Sequence, residues 1–338
     1  MIRRITMVVV CGLLLVGCSD GGTLDADASN SSTDVSTTVA STPPTTSTSL
    51  APTTSTTVLP ALVEDGVPRA VVTPTGVVAA VVRALGDDRY VVASPCGNEV
   101  ATRAAHTLSS AHVVLDPGHG GGETGAVGPS GLRESDLNLA VAEVAKHELE
   151  ARGVRVVLTR TADYRITLAS RAQIATALDA DAFVSIHHNA GPTHTQQTPG
   201  SEVYYQSTGG EPSKRLGGLV YEEAVAAFTP YDIEWAAFRD AQVKVRLSRE
   251  GGDYYGILRR SEGVPAALAE LAYVTNPPEE ALLRTPEFQA VEGRAIAQAL
   301  VRYLTTDDPG SGFVGPSDRS EPAGPGGGGD GCVDPRLE

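Results

Sequence analysis

The chain has 338 residues, enough for one or two ordinary domains, and carries 41 Asp and Glu against 26 Lys and Arg, a formal net charge of −15. So acidic a balance excludes the basic footprint of a general nucleic-acid binder and gives no electrostatic reason to adhere to an anionic surface. Aromatic residues make up only 5%, which argues against long stacking platforms.

Residues 1–17 read as a signal peptide, in which Arg3 and Arg4 precede an apolar run from Ile5 to Val16. The run is too short to span a bilayer, which takes about 20 apolar residues. It ends in Leu15-Val16-Gly17-Cys18, which resembles a bacterial lipobox, with cleavage before Cys18 and lipid on its thiol. An ordinary secretory signal is the alternative, and on either reading the mature chain leaves the cytoplasm. Residues 18–62 form a tether. From Ser29 to Leu59, 22 of 31 residues are Ser, Thr or Pro, a solvated spacer rather than a fold.

Residues 63–108 are Val-rich runs broken by turn residues, which predicts a small β-hairpin unit with Gly76 in a turn. About 45 residues make a marginal core, so this unit leans on its neighbour or on a covalent staple. Once Cys11 leaves with the signal and Cys18 is lipidated, Cys96 and Cys332 remain, in an exported and oxidising setting. A disulfide between them would pin the C-terminal tail to the N-terminal segment; two free thiols are the alternative.

From 109 to 306 the pattern alternates. Strands are expected at 113–115, 154–158, 182–186, 202–205, 254–258 and 266–273, and helices at 135–152, 168–178, 212–228 and 287–304. Alternation of this kind predicts an α/β fold with a mainly parallel central sheet and helices on both faces, preceded by the small β-rich unit. In such sheets chemistry gathers at the carboxyl ends of the strands. Residues 307–338, rich in Gly and Pro, are expected to be a disordered tail.

Three polar interruptions sit at those strand ends. Asp116-Pro-Gly-His-Gly-Gly121 follows the first buried strand and holds His119 over the sheet edge. Glu134 stands at the mouth of a helix, and Ser185-Ile-His-His-Asn189 closes an apolar strand. Two imidazoles and a carboxylate match a catalytic Zn²⁺ set with a fourth position left for water. His187 and His188 cannot both serve from one extended strand, because neighbours point to opposite faces, and periodicity does not choose between them. His106, His112, His147 and His194 lack such settings and read as solvated or packing residues. Glu270 lies mid-strand in an otherwise apolar run. A carboxylate buried there needs a metal, a proton or a water, and a general base is the economical reading; an exposed Glu on an edge strand is the bland one.

Taken together, these motifs resemble the zinc-dependent N-acetylmuramoyl-L-alanine amidases of bacterial cell walls. The resemblance runs over about 112–306. It comprises Leu115-Asp-Pro-Gly-His-Gly-Gly121, Gly131 to Leu139 around Glu134, Leu158-Thr-Arg160 with Asp163, Arg171, Phe183 to His187 with Asn189, and Pro265 to Asn276 with Glu270. It implies His119, Glu134 and His187 as zinc ligands, so selecting His187 over His188, and Glu270 as the catalytic glutamate. It also implies peptidoglycan as substrate, cut between the lactyl group of N-acetylmuramic acid and L-alanine. With lipid on Cys18, the protein would work from the outer face of the cytoplasmic membrane. Some relatives carry a helical insert that plugs the zinc site, whereas here only 206–211 separate a strand from the next helix, so no such plug is expected. Residues 229–250 are long and polar enough to cover the cleft. Two rivals share the ligand types or the fold: a zinc peptidase cutting within the stem peptide, and a non-catalytic wall-binding lipoprotein, whose hallmark would be a missing ligand or base. No protein activator is identified by the sequence.

Overall fold

Residues 59–62, 65–191, 194–318 and 331–338 are described in the computed structural model; the signal segment, Cys18 and nearly all of the tether lie outside them. Five antiparallel strands come first: β1 (Ala70–Val72), β2 (Val78–Gly86), β3 (Arg89–Ala93), β4 (Glu99–Arg103) and β5 (His106–Leu108), in the order β4-β3-β2-β1-β5. Gly76, at φ +84°, closes the turn between β1 and β2, and Asp87 and Asp88 both take positive φ between β2 and β3. Two successive positive φ values are what a tight two-residue hairpin turn requires. Val71, Val77, Ala79, Tyr90 and Val92 form the core of this unit, which Leu337 enters from the far end of the chain.

The remainder runs β6 (Val113–Pro117), α1 (Glu134–Glu150), β7 (Val156–Leu158), α2 (Leu168–Ala177), β8 (Ala182–Asn189), β9 (Thr195–Gln196), β10 (Glu202–Tyr205), α3 (Gly210–Phe228), β11 (Trp235–Ala236), β12 (Gln242–Lys244), β13 (Arg246–Leu247), α4 (Gly256–Arg260), β14 (Ala266–Tyr273), α5 (Pro277–Leu283), α6 (Pro286–Thr305) and β15 (Ser317–Asp318). Six strands form the central sheet in the order β12-β10-β14-β8-β6-β7. Side-chain alternation divides it cleanly. Val113, Leu115, Val184, Ile186, Val203 and Ala269 face α1, α3 and α6, while Val114, Phe183, Tyr204, Ala266 and Leu268 face α2, α4 and the β-rich unit. Each fully buried Val, Leu or Phe contributes about 1.5–3 kcal/mol, so both faces are strongly specified.

One expectation is met in part and two need correction. The sheet is mixed: β10 runs antiparallel to β14, while the other four pairings are parallel. Among the described residues of 190–201 there is no helix to carry a crossover, and the chain turns back at the same end of the sheet. Residues 254–258, expected as strand, instead lead into α4. The tail is ordered wherever it is described. Val243 N donates to Gly312 O at 2.8 Å, Val314 N to Val243 O at 2.9 Å and Ser317 N to Val245 O at 3.0 Å, and β15 lies parallel to β13. Glycine here serves close approach rather than disorder, since a Cβ on Gly312 would lie 2.3 Å from the Tyr221 ring. Beyond 319–330, Cys332 is disulfide-bonded to Cys96.

Candidate metal centre

The loop after β6 is shaped by what it must pass. Gly118 lies against His187, whose ring would be 2.2 Å from any Cβ at that position. Gly118 N donates to Ile186 O at 3.0 Å, tying the loop to β8. His119 then takes φ +61°, a left-handed conformation that non-glycine residues adopt at a cost and that concentrates at functional sites. Two buried arginines hold it there. Arg171 donates to Pro117 O at 2.7 Å and His119 O at 2.6 Å, and Arg160 donates to Pro117 O at 2.9 Å and Gly118 O at 3.0 Å. Asp116 sits beneath them, accepting from Thr159 Oγ1, Arg171 and Ser185 Oγ. Burial pushes the Asp116 carboxyl up, but the Arg171 charge and these hydrogen bonds outweigh it and hold the group below its ordinary range.

Glu134 opens α1, where the helix dipole favours a carboxylate. Its Oε2 accepts from Ala126 N at 2.8 Å. Its Oε1 faces His119 Nε2 at 3.2 Å and His187 Nδ1 at 2.9 Å. One donor atom from each of His119, Glu134 and His187 lies within 4.8 Å of the others. Gly125 makes room for this: a Cβ there would lie 2.4 Å from Glu134 Oε2 and 2.6 Å from His119 Cδ2. Burial disfavours protonation of His119, yet Glu123 and Glu134 together lift it to about 9. Glu134, despite its burial, is held far below the ordinary carboxylate range by hydrogen bonds to His119 and His187. His187 is lowered, burial being the largest cause. Two imidazoles converging on a buried carboxylate that stays ionised form a site for positive charge. Two nitrogen donors and one oxygen donor fit a zinc ion well.

Beside this trio, strand register builds a row. His187 on β8 pairs with Glu270 on β14, which pairs with Glu202 on β10. Glu270 Oε2 is buried without a hydrogen-bond partner. Burial pushes the Glu270 carboxyl well above its ordinary value, and the charges of Glu134 and Glu202 push the same way. Glu202, by contrast, is fully partnered. It pairs with Lys244 Nζ at 2.9 Å and accepts from Tyr204 Oη at 2.7 Å, Tyr273 Oη at 3.1 Å and Asn189 Nδ2 at 2.6 Å. A cavity of about 340 Å³ opens over His119, His187 and Glu270, walled by Leu168, Tyr254 and Tyr255.

The four residues singled out from sequence therefore lie together at one end of the sheet. His188 turns to the opposite face, as alternation requires. His112 is a packing residue that accepts from Arg155 N at 2.9 Å. Neither 206–211 nor 229–250 lines the cavity. The latter segment instead supplies β12, on the edge of the sheet, and with it the buried Lys244. Sequence reasoning named Arg160 and Arg171 among the motifs without giving them a role, and it missed the Glu202–Lys244 pair. The signal for each was a charged residue inside an apolar or turn-rich stretch, with its partner too far along the chain to be guessed.

The N-acetylmuramoyl-L-alanine amidase family model (Amidase_3) matches residues 113–302. An uncharacterized Bacillus subtilis protein, YqiI, is 35% identical over 211 residues, 62% of this chain and 90% of its own length. The Escherichia coli N-acetylmuramoyl-L-alanine amidase AmiA is 32% identical over 220 residues, 57% of this chain and 75% of its own. Among solved structures, Cwp6 from Clostridium difficile aligns with a TM-score of 0.51 at 27% identity, over 59% of this chain and 31% of Cwp6.

Proposed function

The chain belongs to the N-acetylmuramoyl-L-alanine amidase family, and on that footing we propose that it hydrolyses the amide between the lactyl group of N-acetylmuramic acid and L-alanine in peptidoglycan. The observation that carries the reading is the grouping of His119, Glu134 and His187 within 4.8 Å, next in register to a buried Glu270 with an unpartnered oxygen. In this reading His119 Nε2, Glu134 Oε1 and His187 Nδ1 would hold zinc. The ion, when bound, supplies Lewis acidity and brings the pKa of a water to about 7.

The remaining chemistry belongs to the chain. Glu270 is the general base, its Oε2 directed at no protein donor and so free to accept a proton from water. Having taken that proton, Glu270 can return it to the leaving amine. Glu202 holds Asn189, Tyr204 and Tyr273 in place behind Glu270 without competing for the water. Leu168, Tyr254 and Tyr255 exclude bulk solvent from one side of the cavity. By kinship with cell-wall amidases, the protein acts in the cell envelope. Lipid on Cys18 would tether it to the outer face of the membrane; among the described residues no helix is long and apolar enough to cross one.

The test is mass spectrometry of purified peptidoglycan digested with the protein, run with zinc, with chelator, and with Glu270→Ala. The expected result is free peptides beginning at L-alanine and uncut glycan, absent under chelation and in the variant. Cuts within the stem peptide would transfer the assignment to a zinc peptidase. A protein that binds zinc and wall but releases nothing would be a binding lipoprotein.

A further inference from the structure

Behind the candidate metal centre, on the opposite face of the sheet, a second polar group is buried between α1 and α6. His188 Nε2 lies 2.9 Å from Glu292 Oε1, and both side chains have no solvent exposure. His188 Nδ1 lies 2.7 Å from Asn138 Oδ1. The helices close tightly over the group: a Cβ on Gly293, next to Glu292, would lie 2.6 Å from Val144 of α1. Burying an imidazole and a carboxylate here is costly when an apolar pair of equal volume would fill the space. Glu292 Oε2 even remains without a hydrogen-bond partner. The cost calls for a role that an apolar pair would not fill.

The geometry leads to the metal site. With Oδ1 turned to the His188 ring, Asn138 presents Nδ2 to Gly118 O at 3.3 Å and to Glu134 Oε1 at 3.4 Å. His188 N adds a donor to the same Glu134 oxygen at 3.2 Å. Glu134 Oε1 is the atom that faces His119 and His187. A ring rotated away from Glu292 would free the Asn138 amide to flip, turning an oxygen toward Gly118 O and Glu134, where two acceptors would repel. We propose that Glu292, His188 and Asn138 form a buried positioning relay that fixes the side chain of Glu134 for metal binding. The proposal rests on the zinc reading above, and Glu292, His188 and Asn138 are positioning residues that touch neither metal nor substrate.

The test reads Zn²⁺ binding directly, by competition between the purified protein and a chromogenic chelator, alongside thermal unfolding of the metal-free protein. Glu292→Met leaves His188 Nε2 unpaired and is expected to weaken zinc about 10- to 100-fold, the usual scale for loss of an outer partner. Asn138→Ala is expected to do the same. The double variant should bind no worse than the weaker single one, because both cut the same relay. Glu292→Gln, which can still bond Nε2, should stay within about threefold of the wild type. Unchanged zinc affinity in Glu292→Met or Asn138→Ala, with only the unfolding temperature lowered, overturns the relay and leaves a packing role. So does a Glu292→Gln as weak as Glu292→Met. If Glu292→Met does not fold, Asn138→Ala decides alone. Wild-type protein that binds zinc but releases no peptide would remove the amidase reading and leave the relay testable by the same affinities; wild-type protein that binds no zinc overturns both.

Discussion

Reducing the Cys96–Cys332 bridge, or replacing both cysteines with serine, opens a loop that spans 236 positions. Chain entropy alone assigns such a closure about 5 kcal/mol at 25 °C. The docked tail adds contacts of its own. Asp334 accepts from Ser94 Oγ at 2.8 Å, Cys96 N at 2.8 Å and Asn98 Nδ2 at 3.0 Å, and Leu337 is buried in the β-rich unit. Thr75 Oγ1 also donates to Arg336 O at 2.6 Å and Arg103 N to Glu338 Oε1 at 2.6 Å. At about 1 kcal/mol per hydrogen bond and about 2 for the leucine, these come to roughly 7 kcal/mol. Ordering residues 331–338 costs about 1–2 kcal/mol each, or roughly 8–16 kcal/mol. Contacts alone therefore do not hold the tail, whereas contacts and bridge together come within a few kcal/mol of balance. The bridgeless protein is expected to lose 2–5 kcal/mol in urea titration and to release its tail. Hydrogen exchange followed by mass spectrometry should show amides of β1 to β3 exchanging at least about tenfold faster, with β6, β8 and β14 nearly unchanged. Unaltered protection across 70–93 together with an unshifted urea midpoint would refute this account of the tail.

Three further outcomes are expected. Glu270→Gln should lower peptide release about 10²- to 10⁴-fold, the range for a lost general base, while zinc affinity by chelator competition stays close to wild type; loss of zinc binding would instead make Glu270 a ligand. Arg171→Met leaves Asp116 buried without its cation and should cost about 3–5 kcal/mol in urea unfolding; a loss below about 1 kcal/mol would show the clamp to be incidental. Burial lifts Glu279 to about 7, against the opposing hydrogen bonds from Tyr273 N, Asn276 and Ala236 N. A raised carboxyl stabilises the fold fully below its unfolded value of 4.5 and loses that contribution as pH rises toward 7. Stability should thus decline between pH 4.5 and 7, by at most about 3 kcal/mol, and Glu279→Gln should flatten the slope; an equal slope in both proteins would assign it elsewhere.

The candidate site was legible because each member interrupts a strong apolar pattern. His119 and the His187–His188 pair end buried strands, Glu134 begins a helix, and Glu270 breaks a run of small apolar residues, so local periodicity pointed to these candidates, while the family resemblance singled out His187. Alternation along β8 also separated His187 from His188 before any coordinates, though it did not say which faced the site. What stayed hidden depends on partners far along the chain. Lys244 is a charged residue in a polar stretch until Glu202 lies beside it, and only then does 242–244 become an edge strand. Glu292 reads as one more exposed helix acid until α6 is laid across α1. The tail was misread because glycine content reports conformational freedom, not what that freedom is used for. Gly312 and Gly310 use it to lie against α3, where any side chain would collide.

The meeting of Leu337 with Val71, Val77 and Val92 also has a bearing on timing. Leu337 follows every strand of the central sheet in the chain, so β1 to β3 cannot receive that side chain until all of those strands have been made. The bridge through Cys332 closes only after that docking and only where thiols can be oxidised. Until then the unfinished apolar face of β1 to β3 is open to misassembly and proteolysis.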